Sequence, residues 1–325
     1  MLHALKYNPI STLLKNDDKA LKTFVLRDLL GEKVSIKKLW QLPEAKKILK
    51  KQKVNGSWEY PSKKVYGKKE NYNQYETFRK LGILIEKFGF NKTHPAIQKT
   101  ANYFFSTQSP EGDFRGIYDN QYTPNYSAGI MELLIKAGYE KDKRITNSFK
   151  WLLSIRQEDG GWALPFRTQK YNLGVIHSHS TTIQPDKSKP YSPMVTGVVM
   201  RAFAAHPKYK KIKEAKHAGK LLLTNLFKSD KYPDRRGREY WLRFAFPFCY
   251  TDLISAMDSL SLLGFSKREH QIAKSLKFFI DNQQKNGLWQ FKIVSGSNRD
   301  ILQLWLALAI CRIFKRLYGV VDNIS

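Results

Sequence analysis

Cysteine is scarce in this chain: Cys249 and Cys311 are the only two in 325 residues. Two isolated thiols form neither a disulfide framework nor a zinc-binding spacing by themselves. A reducing cytoplasmic setting is therefore expected. Acidic residues are also few, 28 against 56 Lys and Arg, which leaves a formal charge of +28. No apolar run is long enough to cross a bilayer. The longest, Ile301 to Ile313, is broken by Gln303 and Arg312. Met1 to Leu14 lacks the charged start, long apolar middle and small-residue cleavage site of a signal peptide. No Gly-rich phosphate loop is present, so no cofactor is expected, and strand signals are nearly absent.

The positive excess suits polyanions, anionic membrane surfaces or phosphorylated ligands. Its basic residues are spread along the chain rather than gathered in a tail, which fits a solvated, lysine-rich surface. Nucleic acid is the least favoured partner, because no nucleic-acid motif accompanies the charge. Peripheral contact with an anionic membrane stays open, and the sequence specifies no protein partner.

What the chain does have is an internal repeat, the feature to settle first. Phe149 to Trp162 is an apolar run leading into Gln157, then Gly160, Gly161 and Trp162. The same grammar recurs in Gln283 with Gly287 and Trp289, in Gln52 with Gly56 and Trp58, and, with Phe in place of Trp, in Gln108 with Gly112 and Phe114. Glycine just past a helix takes the left-handed conformation that ends it. The Trp folds back as an apolar anchor with one N–H to satisfy, and the Gln is placed to bond backbone at a neighbouring helix end. These motifs read as staples between helices.

Between the staples the periodicity is helical. Asp17 or Asp18 caps a helix to Leu30, stopped by Gly31, and a second spans Pro43 to Lys53. Paired segments follow at 75–88 and 95–108, 126–137 and 142–157, 193–205 and 212–227, and 251–263 and 269–283, before a last helix from Asp300 to Leu317. The fourth unit lacks the closing motif and carries a basic aromatic loop, Tyr232 to Trp241, in its place. The last helix is apolar nearly all round, as buried helices are, which favours a closed ring over an open solenoid.

The Gln-x(3–5)-Gly-x-Trp motif after helical hairpins resembles the repeat of squalene/oxidosqualene cyclases and protein prenyltransferase β subunits. Residues 72–318 carry the likeness. Asn8-Pro-Ile-Ser-Thr-Leu-Leu14, Leu26-Arg-Asp-Leu-Leu30 and Trp241 to Pro247 are also similar to segments of a bacterial and archaeal group bearing these repeats. The resemblance implies an all-α fold, a closed α/α toroid built as a double ring of about six hairpins. Residues 1–42 are expected to form a helical segment packed on a toroid of residues 43–325. The implied activity is terpenoid cyclase- or prenyltransferase-like, with an isoprenoid or other amphiphilic anion in a central cavity. A non-catalytic toroid serving as a binding scaffold is the alternative, and a basic nucleic-acid binder the third.

In such a ring the long loops and the N-termini of the inner helices share one rim, and loops on a rigid scaffold commonly carry function. The expected lining there is Tyr72, Tyr75, Tyr126, Tyr191, Trp241, Phe246, Phe248, Tyr250 and Trp305, with aromatic faces able to stabilise a developing cation. Arg235, Arg236, Arg238 and Arg243 are candidates for an anionic head group, because guanidinium forks bind phosphate bidentately. The Asp-x-Asp-Asp acid motif of squalene-hopene cyclases is absent. Glu76, Asp252 and Asp300 are the acids at inner-helix starts, each alone, so protonation-initiated cyclisation is not expected. The prenyltransferase likeness implies a zinc site of Asp, Cys and His. Cys249, Asp252, His177 and His179 are sensible zinc ligands, but the family's Asp-x-Cys spacing is missing and zinc is not expected.

Overall fold

The architecture comes from a computed structural model that describes residues 4–62, 70–176, 179–294 and 299–319. Its helices are α1 (Ile10–Lys15), α2 (Lys19–Val25), α3 (Pro43–Leu49), α4 (Tyr72–Phe88), α5 (Pro95–Ser106), α6 (Pro124–Leu134), α7 (Lys143–Ser154), α8 (Pro165–Thr168), α9 (Leu173–Ile176), α10 (Pro193–Ala205), α11 (Lys213–Thr224), α12 (Leu253–Leu262), α13 (His270–Asp281) and α14 (Arg299–Gly319). Among the described residues the only strands are a parallel pair, Arg243–Phe244 and Lys292–Ile293.

Local chemistry sets the helix boundaries. Side-chain oxygens of Asp18, Asn71, Asp142, Ser192 and Asp252 accept hydrogen bonds from backbone N–H groups in the first turns of α2, α4, α7, α10 and α12, which satisfies donors that the helix itself leaves free. Proline opens α3, α5, α6 and α10, where its missing N–H costs nothing. Gly89 ends α4 in the left-handed region.

Six helices form an inner ring. In chain order α2, α4, α6, α10, α12 and α14 each pack on the next, and α14 returns to pack on α2. The apolar character predicted for the last helix belongs to this ring: Trp305, Leu306, Ala307, Leu308, Ile310, Ile313 and Phe314 of α14 are all buried. The helices α3, α5, α7, α11 and α13 lie outside, each against its inner partner. This is the all-α double ring expected from the repeats.

The repeat motifs are the joints of the outer layer. Trp58, Trp162 and Trp289 each donate their indole N–H to a carbonyl ten residues earlier, on Ile48, Leu152 and Phe279, at 2.7–2.8 Å. Gln52 Nε2 reaches the Ala96 carbonyl and Thr100 Oγ1 at the start of α5, both at 2.9 Å. Gln108 Nε2 does the same on α7, to the Arg144 carbonyl at 2.9 Å and Ser148 Oγ at 2.8 Å. Trp241 performs the Trp role for the fourth unit, with its Nε1 on the Lys228 carbonyl at 2.8 Å, thirteen residues back.

The ring closes through the N-terminal segment. Among the described residues no outer helix follows Gln283, and its amide bonds Tyr7, with α1 running on from there and packing on α2. Thr12 Oγ1 donates to the Asn286 carbonyl at 2.7 Å. The sixth outer position is thus taken by α1.

Candidate functional site

The segment Arg243 to Asp252 enters the ring before α12 begins. Phe246 stacks on Trp305 of α14 with centroids 5.2 Å apart, Pro247 lies against Gly82 of α4, and the Phe248 carbonyl accepts from Arg201 Nη2 of α10 at 2.7 Å. Phe246-Pro247-Phe248 therefore touches three inner helices and separates two spaces. On the side of the inner-helix C-termini lies a basin of about 1000 Å³, with Phe246 and Phe248 in its wall. On the side of the N-termini lies a cavity of about 300 Å³ whose wall includes Cys249, Tyr250 and Thr251.

The N-terminal cavity is aromatic. Tyr75, Phe78, Tyr118, Tyr126 and Tyr250 line it, and an adjoining space of about 470 Å³ shares Tyr75, Tyr118 and Tyr126 and adds Tyr72. The rings meet edge to face, Tyr75 and Tyr118 lying 5.9 and 5.8 Å from Tyr126, the arrangement favoured by ring quadrupoles. Burial pushes the Tyr126 hydroxyl well above its ordinary range, so it stays neutral. In the same wall the buried Asn125 Oδ1 has no partner among the described residues.

Two guanidinium groups line this cavity. Arg167 is neutralised by Asp234, with Nε and Nη2 at 2.6 and 2.7 Å from its carboxylate. Arg235 forms no ion pair among the described residues. Its Cζ lies 3.8 Å from the centroid of Tyr250. Its backbone is in the left-handed region, φ 53, a conformation that costs a non-glycine residue of the order of 1 kcal/mol or more.

Of the residues expected here, Tyr75, Tyr126, Tyr250 and Arg235 meet in one lining. Others are held elsewhere. Trp241 is fully buried as a repeat staple. Trp305 is committed to Phe246 and to Asp18, whose Oδ2 accepts its Nε1 at 3.0 Å. Tyr191 donates to the Leu221 carbonyl on α11. Arg236 and Arg238 are exposed on the loop, and Arg243 stacks on Tyr240 at 4.5 Å. These placements follow from long-range tertiary packing, which periodicity does not encode. Residues that sequence reasoning missed are Tyr118, Asn125 and Arg167; they sit in or beside the long loops without a local pattern to mark them.

The three candidate acids stand on three inner helices and share no partner among the described residues. Glu76 is buried and paired with Arg79 and Lys80 at 2.8 and 2.9 Å. Asp300 is exposed in the first turn of α14. Asp252 is fully buried at the start of α12, where Oδ1 accepts the Ser255 N–H at 2.8 Å and Oδ2 has no partner among the described residues. Burial pushes its pKa up to about 7. Of the candidate zinc ligands, Cys249 lines the cavity, His179 packs on Tyr171, and His177 lies outside the described residues. Among the described residues no three His, Cys, Asp or Glu side chains gather as a metal site, and no helix is long and apolar enough to cross a membrane.

Residues 76–188, which run from α4 across α7 into the loop beside this cavity, match the family model of the squalene-hopene cyclase C-terminal domain. Over these residues, about a third of its length, the chain is similar to that cyclase domain. No curated protein matches the chain. Among solved structures, the type II terpene cyclase MstE from Scytonema, in its apo form, is similar at 12% identity over 82% of this chain and 94% of that one, with a TM-score of 0.31.

Proposed function

We propose that this terpenoid cyclase-like protein binds an amphiphilic anion, an isoprenoid-type chain with a charged head, in the aromatic cavity at the inner-helix N-termini. The observation that carries this reading is Arg235: a guanidinium without an ion pair among the described residues, on a strained backbone, in a wall that also holds Tyr75, Phe78, Tyr118, Tyr126 and Tyr250. Strained residues cluster at ligand clamps. The size of the cavity is within the range of small-molecule sites. The bare Asn125 Oδ1 offers the ligand one directional hydrogen bond.

A non-catalytic scaffold is the second reading. It is favoured by the Phe246-Pro247-Phe248 segment, which leaves spaces at the two ends of the ring in place of one deep central chamber. The test is native mass spectrometry and organic extraction of the purified protein, with titration of geranylgeranyl diphosphate followed by intrinsic fluorescence. Arg235→Ala should weaken binding at least tenfold, about 1.4 kcal/mol, while Arg236→Ala leaves it unchanged. Absence of any extracted lipid together with no binding by the unaltered protein would establish the scaffold reading instead.

A further inference from the structure

A third cavity, of about 600 Å³, lies where the ring closes, between the start of α2, the start of α3, the end of α4 and the first turns of α14. It shares no lining residue with the aromatic cavity. Its walls are apolar around Ile48, Ile83 and Trp305, and two amines stand among them, the exposed Lys19 and the half-buried Lys87.

Lys87 is unlike the surface lysines of this chain. It is half-buried, and its Nζ makes no hydrogen bond or ion pair among the described residues. Its nearest charge-stabilising neighbour is the Trp305 indole, whose centroid is 5.6 Å from Nζ. Asp18, the carboxylate that acts on Lys87 electrostatically, is already engaged: Oδ1 accepts the Leu21 N–H and Oδ2 the Trp305 Nε1–H, both at 3.0 Å. Burial pushes the Lys87 amine below its ordinary range despite the opposing effect of Asp18, and no other described lysine is shifted that way. Desolvated amines of this kind are the ones that act as nucleophiles on carbonyl carbon.

The charge of the cavity decides what class of molecule it takes. Asp17, Asp18 and Glu44 line it against Lys19 and Lys87, so acids outnumber amines and a carboxylate or phosphate is disfavoured. We propose that Lys87 captures a neutral, apolar aldehyde as a Schiff base in this cavity. The unprotonated amine attacks the carbonyl carbon, and the carbonyl π pair moves to oxygen. A proton passes from nitrogen to that oxygen to give the carbinolamine. Protonation of its hydroxyl from solvent releases water and leaves the iminium. Hydrolysis reverses every step, so capture is reversible and needs no oxidant or reductant.

The test treats the full chain with cinnamaldehyde and cyanoborohydride at pH 7 and maps adducts by peptide mass spectrometry. Lys87 should be modified at least ten times faster than the exposed Lys53 and Lys143, which lie outside the cavity. Arg235→Ala should leave this unchanged, since the aromatic cavity is separate. Lys87→Met should abolish the fast phase alone. Ile83→Trp, which narrows the cavity beside Lys87 and retains the amine, should slow Lys87 towards the rate of the exposed lysines, and it serves if Lys87→Met does not fold. Adducts that simply follow exposure, or an anionic aldehyde such as glyoxylate modifying Lys87 as fast as cinnamaldehyde, would overturn the proposal.

Discussion

Tyr7 and Gln283, separated by 276 positions in the chain, share two hydrogen bonds: the Tyr7 N–H donates to Gln283 Oε1 at 3.0 Å, and Gln283 Nε2 donates to the Tyr7 carbonyl at 2.8 Å. This is the joint that Gln52 makes with α5 and Gln108 with α7. Gln283→Ala leaves both backbone groups of Tyr7 without this partner. An unfolding free energy lower by about 1–3 kcal/mol is expected, read from the urea midpoint. Gln284→Ala, an exposed neighbour, should be neutral.

Gly287 gives a second test of the same closure. Its φ is +83, and a Cβ there would lie 2.8 Å from the Asn8 carbonyl oxygen and from Pro9 Cα. Gly31 has a similar φ of +77 with nothing within 4 Å. Gly31→Ala should therefore cost only the conformational term, about 1 kcal/mol. Gly287→Ala must also push residues 8–9 off the ring. It should cost more and speed proteolytic cleavage within residues 4–16, a change that Gly31→Ala should not produce.

Much of this was legible because the repeat is local. Gln, Gly and Trp are close in sequence, so Trp58, Trp162 and Trp289 could be assigned as staples from spacing alone, and Asp18, Gly89 and Pro193 marked real helix ends. Trp241 escaped because its staple spans thirteen residues where the others span ten. The role of α1 escaped because its partner is at the far end of the chain. The Phe246-Pro247-Phe248 segment and the Arg167–Asp234 pair depend on long-range packing, which leaves no period in the sequence.

Asp252 should make stability fall as pH rises. Its folded pKa of about 7 lies above the ordinary value of 3.8, so between those pH values the folded state holds a proton that the unfolded state has released. Folding is then unaffected by this group below about pH 4 and progressively weakened up to about pH 7, by an amount bounded near 4 kcal/mol. Asp252→Asn keeps an oxygen for the Ser255 N–H and removes the titration. The variant should match the unaltered protein at pH 4 and be the more stable by a few kcal/mol at pH 8, in chemical denaturation at each pH. Parallel stability curves for the two proteins would refute it.

Arg201 and Glu132 form the buried ion pair beneath the Phe246-Pro247-Phe248 segment, with Nε and Nη2 at 2.7 and 2.6 Å from Glu132 Oε2. Burial alone would raise the Glu132 pKa, but Arg201 and Lys136 together hold it below the ordinary carboxylate range. Removing one member of such a pair strands the other charge in a poorly solvated site, which typically costs about 3–5 kcal/mol. Arg201→Met should fall in that range. Adding Glu132→Leu should recover much of the loss, because Lys136 keeps Glu86 as a partner at 2.6 Å. The double-mutant cycle therefore gives a large coupling energy if the pair acts as a unit. Arg201 also holds the Phe248 carbonyl, which Glu132 does not. Acrylamide quenching of Trp305, beneath Phe246, should consequently rise in Arg201→Met and in the double variant but not in Glu132→Gln. Equal quenching in all three would show that the segment is held by ring packing alone.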